Sequence, residues 1–151
     1  MLSEIRKLDD SDFDDFVEIW CRAYPGTYDT ATEEMKHRIK ERWVKSNKES
    51  QVENFYGAFR NNKLLGGMIL FNHRMNIHSI ITPIGGVGQV CVDSLHKKEQ
   101  VGKDLMSFSL QHFYERGICL TTLYPFSSEF YAKMGYGLGS KVHQYRFEPK
   151  G

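Results

Sequence analysis

Apolar residues recur along this chain with two different periods, and the switches between them mark out the elements. Residues 2–7, LSEIRK, read as a short first strand. DDSDF then offers Asp and Ser caps with acidic residues for a helix start, and Phe13, Phe16, Val17, Trp20 and Tyr24 follow at helical spacing until Pro25-Gly26. A second helix, about residues 32–46, has a thinner stripe of Met35, Ile39 and Trp43 with charge on its remaining face, which predicts a position over the edge of the domain. VENFYGAFR and KLLGGMILF flank Asn61-Asn62, a pair that tolerates the positive φ of a tight hairpin turn. HSIITPIGGVGQVCVD is extended and interrupted by Pro83 and glycines.

From Val101 the period becomes helical. Val101, Leu105, Phe108 and His112 form one row, Met106, Leu110 and Phe113 its neighbour, and Gly117 is placed to end the helix. CLTTLYP is a short apolar strand, SSEFYAKMGYG a brief helix stopped at Gly135, and KVHQYRFEP alternates as a last strand. The order β-α-α-β-β-β-α-β-α-β predicts an α/β fold, a mixed sheet with helices on both faces.

Composition removes several function classes. The 151 residues suit one domain with a real core, read as 1–151 without a dividing linker. A formal charge of +1 gives no global field, so nothing here asks for a nucleic acid or a membrane as partner. Three cysteines, Cys21, Cys91 and Cys119, lack CxxC spacing and read as reduced thiols of a cytoplasmic protein. The six histidines show no zinc spacing, so no metal is expected.

The chemistry-bearing stretch is HKKEQVGKDL, residues 96–105, set between the strand PIGGVGQVCVD and a helix start. Helix N-termini carry unpaired N–H groups and partial positive charge, which suits phosphate. Lys97, Lys98 and Lys103 add charge, each exposed contact contributing roughly 0.3–1 kcal/mol, so backbone donors must carry much of any binding. These ten residues taken alone read equally well as a solvated helix entry. No GxxxxGK[ST] is present, and Gly135-x-Gly-x-Gly139 precedes no helix pattern, so neither a P-loop nor a dinucleotide fingerprint is indicated.

The run GGVGQVCVDSLHKKEQVGKDLM resembles the acetyl-coenzyme A-binding segment of the GNAT acetyltransferase superfamily: a strand, then Arg/Gln-x-x-Gly-x-Gly/Ala, then a helix. LYPFSSEFYAKMGYG is similar to the later segment of the enhanced-intracellular-survival branch, where an aromatic-Tyr pair precedes Gly-aromatic-Gly. The likeness covers nearly the whole chain and is most specific over residues 85–137. It implies a GNAT fold of six to seven strands, with a cofactor slot where the fourth and fifth strands part. It implies that Val90, Cys91 and Val92 offer strand backbone to the pantetheine arm. Lys97, Lys98, Gln100, Val101, Gly102 and Lys103 would surround the pyrophosphate. Tyr131 would face the cofactor sulfur as acid; without the resemblance it reads as a core aromatic beside Phe130. Gln100 departs from the motif, standing at its first glycine, at a cost of about 1 kcal/mol if its φ is positive.

Acetyl transfer to an amine builds an oxyanion and expels a thiolate, so a strand N–H near Val92 would serve the thioester oxygen. Tyrosine near ~10 and a thiol near ~8.5 make full proton transfer uphill by about 2 kcal/mol, a gap that a desolvated thiolate narrows. The acceptor must be neutral; an alkylamine near ~10.4 is so only about once in ~2500 at pH 7. No base stands out: Asp93 and Glu34 read as solvated surface charges. Longer members of that branch use a C-terminal carboxylate, so the chain reads either as a natural single domain or as an excised N-terminal one. Cys91 reads as a buried small hydrophobe rather than a nucleophile, His112 as a packing residue, and Trp20 and Trp43 as core or acceptor-pocket wall. The basic run KHRIKERWVK is interrupted by glutamates on its helix and reads as a solvated face. The expected activity is direct acetyl transfer from acetyl-CoA to an amine-bearing acceptor. The alternatives are a non-catalytic acyl-CoA-binding or assembly domain and a purely structural one.

Overall fold

Two hairpins set the sheet. In the computed structural model, which describes residues 3–24, 31–139 and 145, strand β1 is Glu4–Lys7 and β2 is Glu53–Arg60. β2 turns into β3 (Lys63–Ile77) through Asn61 and Asn62, at φ 51° and 61°, the left-handed pair that a two-residue turn requires. β3 runs well past the apolar KLLGGMILF. It turns again at His78 and Ser79, with φ 48° and 68°, into β4 (Ile80–Val92). β5 (Thr121–Leu123) lies parallel to β4, while the other pairs are antiparallel. The sheet order is β1-β2-β3-β4-β5, mixed as expected. Five strands stand among the described residues where six to seven were expected; the strand predicted over 141–149 lies outside them apart from Tyr145.

The helices divide between the two faces. α1 (Phe13–Ala23) and α2 (Glu33–Glu49) pack with Phe55, Phe59, Leu64 and Ile69 on one side. α3 (Val101–Tyr114) and α4 (Ser128–Ala132) pack with Leu65, Met68, Leu70 and Val87 on the other. Side chains of a strand alternate between faces, so each strand feeds both cores. The first core is largely aromatic: Trp43 lies 4.9 Å from Trp20 and 5.2 Å from Phe16 between ring centroids. α2 is tied to the sheet by Asn47, whose amide donates to Leu8 O at 2.9 Å and accepts from Phe55 N–H at 3.4 Å. His112 is buried among Tyr56, Phe108 and Phe113. Burial, and then the nearby Arg116, push its pKa down, so it packs as a neutral ring. α3 ends with Gly117 at φ 70°, the left-handed position that glycine takes without strain. Among the described residues no helix is long and apolar enough to cross a membrane.

Candidate active site

The site begins where the sheet stops being regular. β4 and β5 pair over only three residues, ending at Val87↔Leu123, so β4 continues from Gly88 to Val92 with no neighbour strand on that side among the described residues. Just there the β3–β4 register shifts. Ile69 faces Gly88 and Gly67 faces Cys91, leaving Gln89 and Val90 opposite Met68 alone. Gln89 takes φ 52° in this bulge. The strands part around a cavity of about 160 Å³. Its walls are Val87–Val90 of β4, Tyr124–Phe126 after β5, Tyr24 at the end of α1, and Tyr131 of α4.

Backbone direction follows from alternation along β4. Asp93 N–H donates to Leu65 O of β3 at 2.8 Å, so Val92 N–H points the other way, into the opened edge. Val90 has the same parity, and its carbonyl is reached from the cavity side by Tyr24 Oη at 3.1 Å. Cys91 faces β3 instead. Its carbonyl oxygen abuts Gly66, and its thiol is buried and donates to Gly67 O at 3.7 Å. Of the three strand residues expected to offer backbone to a ligand, Val90 and Val92 face the slot and Cys91 does not. Burial pushes the Cys91 thiol up to about 12, so it is no thiolate at neutral pH.

Past β4 the chain makes a short 3-10 turn at Ser94–His96 and enters α3 through the loop 97–100. Lys98 and Gln100 both have positive φ, 73° and 69°. The condition set for strain at Gln100 is therefore met. A left-handed residue followed by right-handed Val101 curls successive N–H groups into an anion-binding concavity. The amides of Gln100, Val101, Gly102 and Lys103 have no hydrogen-bond partner among the described residues. Lys97, Lys98 and Lys103 are exposed and form no ion pair among the described residues. Glu99, the one acid inside the loop, is turned away. His96 and then Arg60 hold its carboxyl below the usual range, with Arg60 at 2.5 Å. Gly102 leaves ordinary room: an added Cβ would stand 3.5 Å from Phe130 and 3.7 Å from Val92.

Tyr131 is 4% exposed, yet it lines the cavity, and its hydroxyl has no hydrogen-bond partner among the described residues. Phe126, Phe130 and Tyr136 hold its ring at centroid distances of 5.3, 5.1 and 6.0 Å. Burial, and then the neighbouring Tyr24 and Tyr136, raise its pKa well above that of an exposed tyrosine. The expected surface role of Asp93 does not hold. It is 5% exposed, caps Leu95 N–H at 3.1 Å and lies 3.9 Å from Arg22. Glu34 is exposed, as expected. Sequence reasoning missed Tyr24, Tyr124 and Phe126 as cavity walls. For Tyr24 the helical period spoke only of packing; Gly88 inside a strand pattern was the available hint of the bulge.

Restoring the motif glycine tests the loop. Gln100→Gly should raise Tm by about 2–4 °C, the equivalent of ~1 kcal/mol in a domain of this size. It should also tighten acetyl-CoA binding in calorimetry, because glycine lets a pyrophosphate approach the backbone more closely than Gln100 does; weaker binding would contradict this.

A family model described as an acetyltransferase (GNAT) domain matches residues 4–139. No curated protein matches the chain. Among solved structures it is similar to a transcriptional regulator from Bacillus halodurans C-125, with TM-score 0.82, 16% identity, and 96% of this chain and 99% of that one covered. Glucosamine-6-phosphate N-acetyltransferase from Arabidopsis thaliana follows at TM-score 0.73 and 21% identity, covering 98% and 100%. A GCN5-related N-acetyltransferase from Ralstonia eutropha JMP134 has TM-score 0.71 and 19% identity, covering 95% and 98%. At these identities the solved structures speak for the fold alone.

Proposed function

The chain belongs to the acetyltransferase (GNAT) domain family, and we propose that it transfers an acetyl group from acetyl-CoA directly to a primary amine. One observation carries the reading: the Tyr131 ring and the unpaired edge of β4 wall a single cavity. The residues present fit the cofactor. Free amides and three lysines stand at the start of α3, and the strands part beside them. Gly102 presents no side chain to that approach.

Acetyl-CoA supplies an activated acyl thioester; the protein holds it and manages charge and protons. The amides of Gln100–Lys103, with Lys97, Lys98 and Lys103, would hold the pyrophosphate. Val90 and Val92 would offer backbone to the extended pantetheine arm as a neighbouring strand would, and Val92 N–H would stand as donor for the thioester oxygen. Tyr131 Oη keeps its proton and donates it as a hydrogen bond where the sulfur leaves. Direct attack is favoured because Cys91, the cysteine beside the slot, is buried and protonated. The pair Phe130-Tyr131 ahead of Gly135-Tyr136-Gly137 supports a place near the enhanced-intracellular-survival branch. The free thiols of Cys21, Cys91 and Cys119 support a reducing, cytoplasmic setting.

Thiol release from acetyl-CoA across a panel of primary amines tests the reading. Amine-dependent release supports it, and calorimetric binding without release leaves an acyl-CoA-binding domain in its place. Replacing Lys97, Lys98 and Lys103 together by Ala should weaken acetyl-CoA binding about tenfold at low salt, with the difference shrinking as ionic strength rises. A loss independent of salt would remove the lysines from the phosphate site.

A further inference from the structure

The last two turns of α1 reach across to the irregular part of β4 by two contacts, and to Asp93 just past its end by a third. Trp20 Nε1–H donates to Gln89 Oε1 at 2.6 Å, and Tyr24 Oη–H donates to Val90 O at 3.1 Å. Arg22 lies 3.9 Å from Asp93 Oδ2. The first two contacts grip the very pair of residues that faces Met68 alone. Trp20 and Tyr24 are one helical turn apart, and their rings lie 5.9 Å from each other.

This stretch needs such a hold. A bulge leaves an extra residue outside the ladder and re-aims its neighbours. Gln89 has positive φ, a conformation that persists only where its surroundings impose it. β5 cannot impose it, because pairing with β4 has already ended at Val87. α1 stands in for the departed strand.

We propose that Trp20 and Tyr24 are positioning residues that fix the outward N–H group of Val92 on the acyl group, letting the site distinguish an acyl thioester from the free thiol. The inference rests on the acetyl-CoA reading above. The peptide unit is planar, so holding Val90 O fixes the plane that leads into Cys91 and Val92. Holding the Gln89 side chain limits rotation on the preceding side. Tyr24 does not block the edge, because a carbonyl oxygen has a second lone pair. Burial pushes the Tyr24 hydroxyl up to about 12, so it remains a donor throughout the physiological range.

Calorimetry with acetyl-CoA and with CoA, on the full chain and its variants, provides the test. CoA reports the phosphate and pantetheine contacts; acetyl-CoA adds the thioester oxygen. The unaltered protein should bind acetyl-CoA about 2–10-fold more tightly than CoA, the usual range for one hydrogen bond. Tyr24→Phe keeps the ring and Gln89→Met keeps the length. Each should bring the ratio close to one while CoA affinity stays within about twofold. Gln89→Glu keeps an oxygen for the Trp20 N–H and should retain the ratio. A merely structural role would lower Tm and weaken both ligands together, which overturns the proposal. An unaltered ratio in Tyr24→Phe and Gln89→Met overturns it too, as does equal affinity of the unaltered protein for both ligands, with the acetyl-CoA reading left standing in each case. Binding of neither ligand removes that reading, and the inference with it.

Discussion

Tyr131→Phe should lower turnover by about 10²-fold or more while acetyl-CoA affinity and Tm stay nearly unchanged. The ring contacts with Phe126, Phe130 and Tyr136 survive in phenylalanine, so packing is retained. The hydroxyl has no partner in the described chain, so removing it orphans no buried group. What disappears is a donor aimed into the cavity. Its raised pKa cuts two ways. A tyrosine pushed above its ordinary value is a weaker acid, which disfavours full proton transfer. The same dry surroundings make a leaving thiolate more basic, which favours it. The two shifts run in the same direction and largely offset each other, so on the proposed reading the hydroxyl would act chiefly by hydrogen bonding to the developing negative sulfur. The sign of the pH dependence follows. The folded-state value lies above that of an exposed tyrosine, so ionisation of Tyr131 should cause no decline in rate below about pH 10. A steady-state comparison of kcat and KM with a pH profile checks this; an unchanged kcat in Tyr131→Phe removes it as the acid.

Periodicity made the element order legible because each buried face repeats: Phe13, Phe16 and Trp20 on one helix, Val101, Leu105 and His112 on another. The Asn61-Asn62 turn was legible for the same kind of reason, since asparagine tolerates the required φ. The second turn was not. His78-Ser79 carries no such residue, so the sequence pattern stops one strand at Phe71 and begins the next at His78, on the turn itself. Cys91 shows the limit more sharply. Strand alternation says that it and Val90 face opposite ways, but which of them meets the slot depends on the bulge at Gln89 and Val90, a long-range register event with Met68. The candidate phosphate loop shows in the sequence as glycine and lysines before a helix. The turning aside of Glu99 does not, because Arg60 comes from another strand.

Two glycines on either side of Val92 should fail in opposite ways. Gly66 faces Val92 in the β3–β4 register, and a Cβ there would overlap the Cys91 carbonyl oxygen and stand 3.0 Å from Val92 Cα. Both are backbone atoms, and β4 is not free to retreat. Asp93 N–H is bonded to Leu65 O, and Gln89 and Val90 are held by Trp20 and Tyr24. Gly66→Ala should therefore cost about 2–3 kcal/mol, seen as a fall in Tm of about 4–12 °C. By pushing the open edge of β4 into the cavity it should also weaken acetyl-CoA at least several-fold. Gly102 lies inside α3, with only ordinary contacts around an added Cβ. Gly102→Ala should stabilise by about 0.4–1 kcal/mol through reduced freedom of the unfolded chain, yet place a methyl group where the free amides gather. A thermal melt beside an acetyl-CoA titration separates them: Gly66→Ala loses stability and binding together, while Gly102→Ala gains stability and loses binding. If Gly102→Ala binds as tightly as the unaltered chain, the amides at the start of α3 are not where the diphosphate sits.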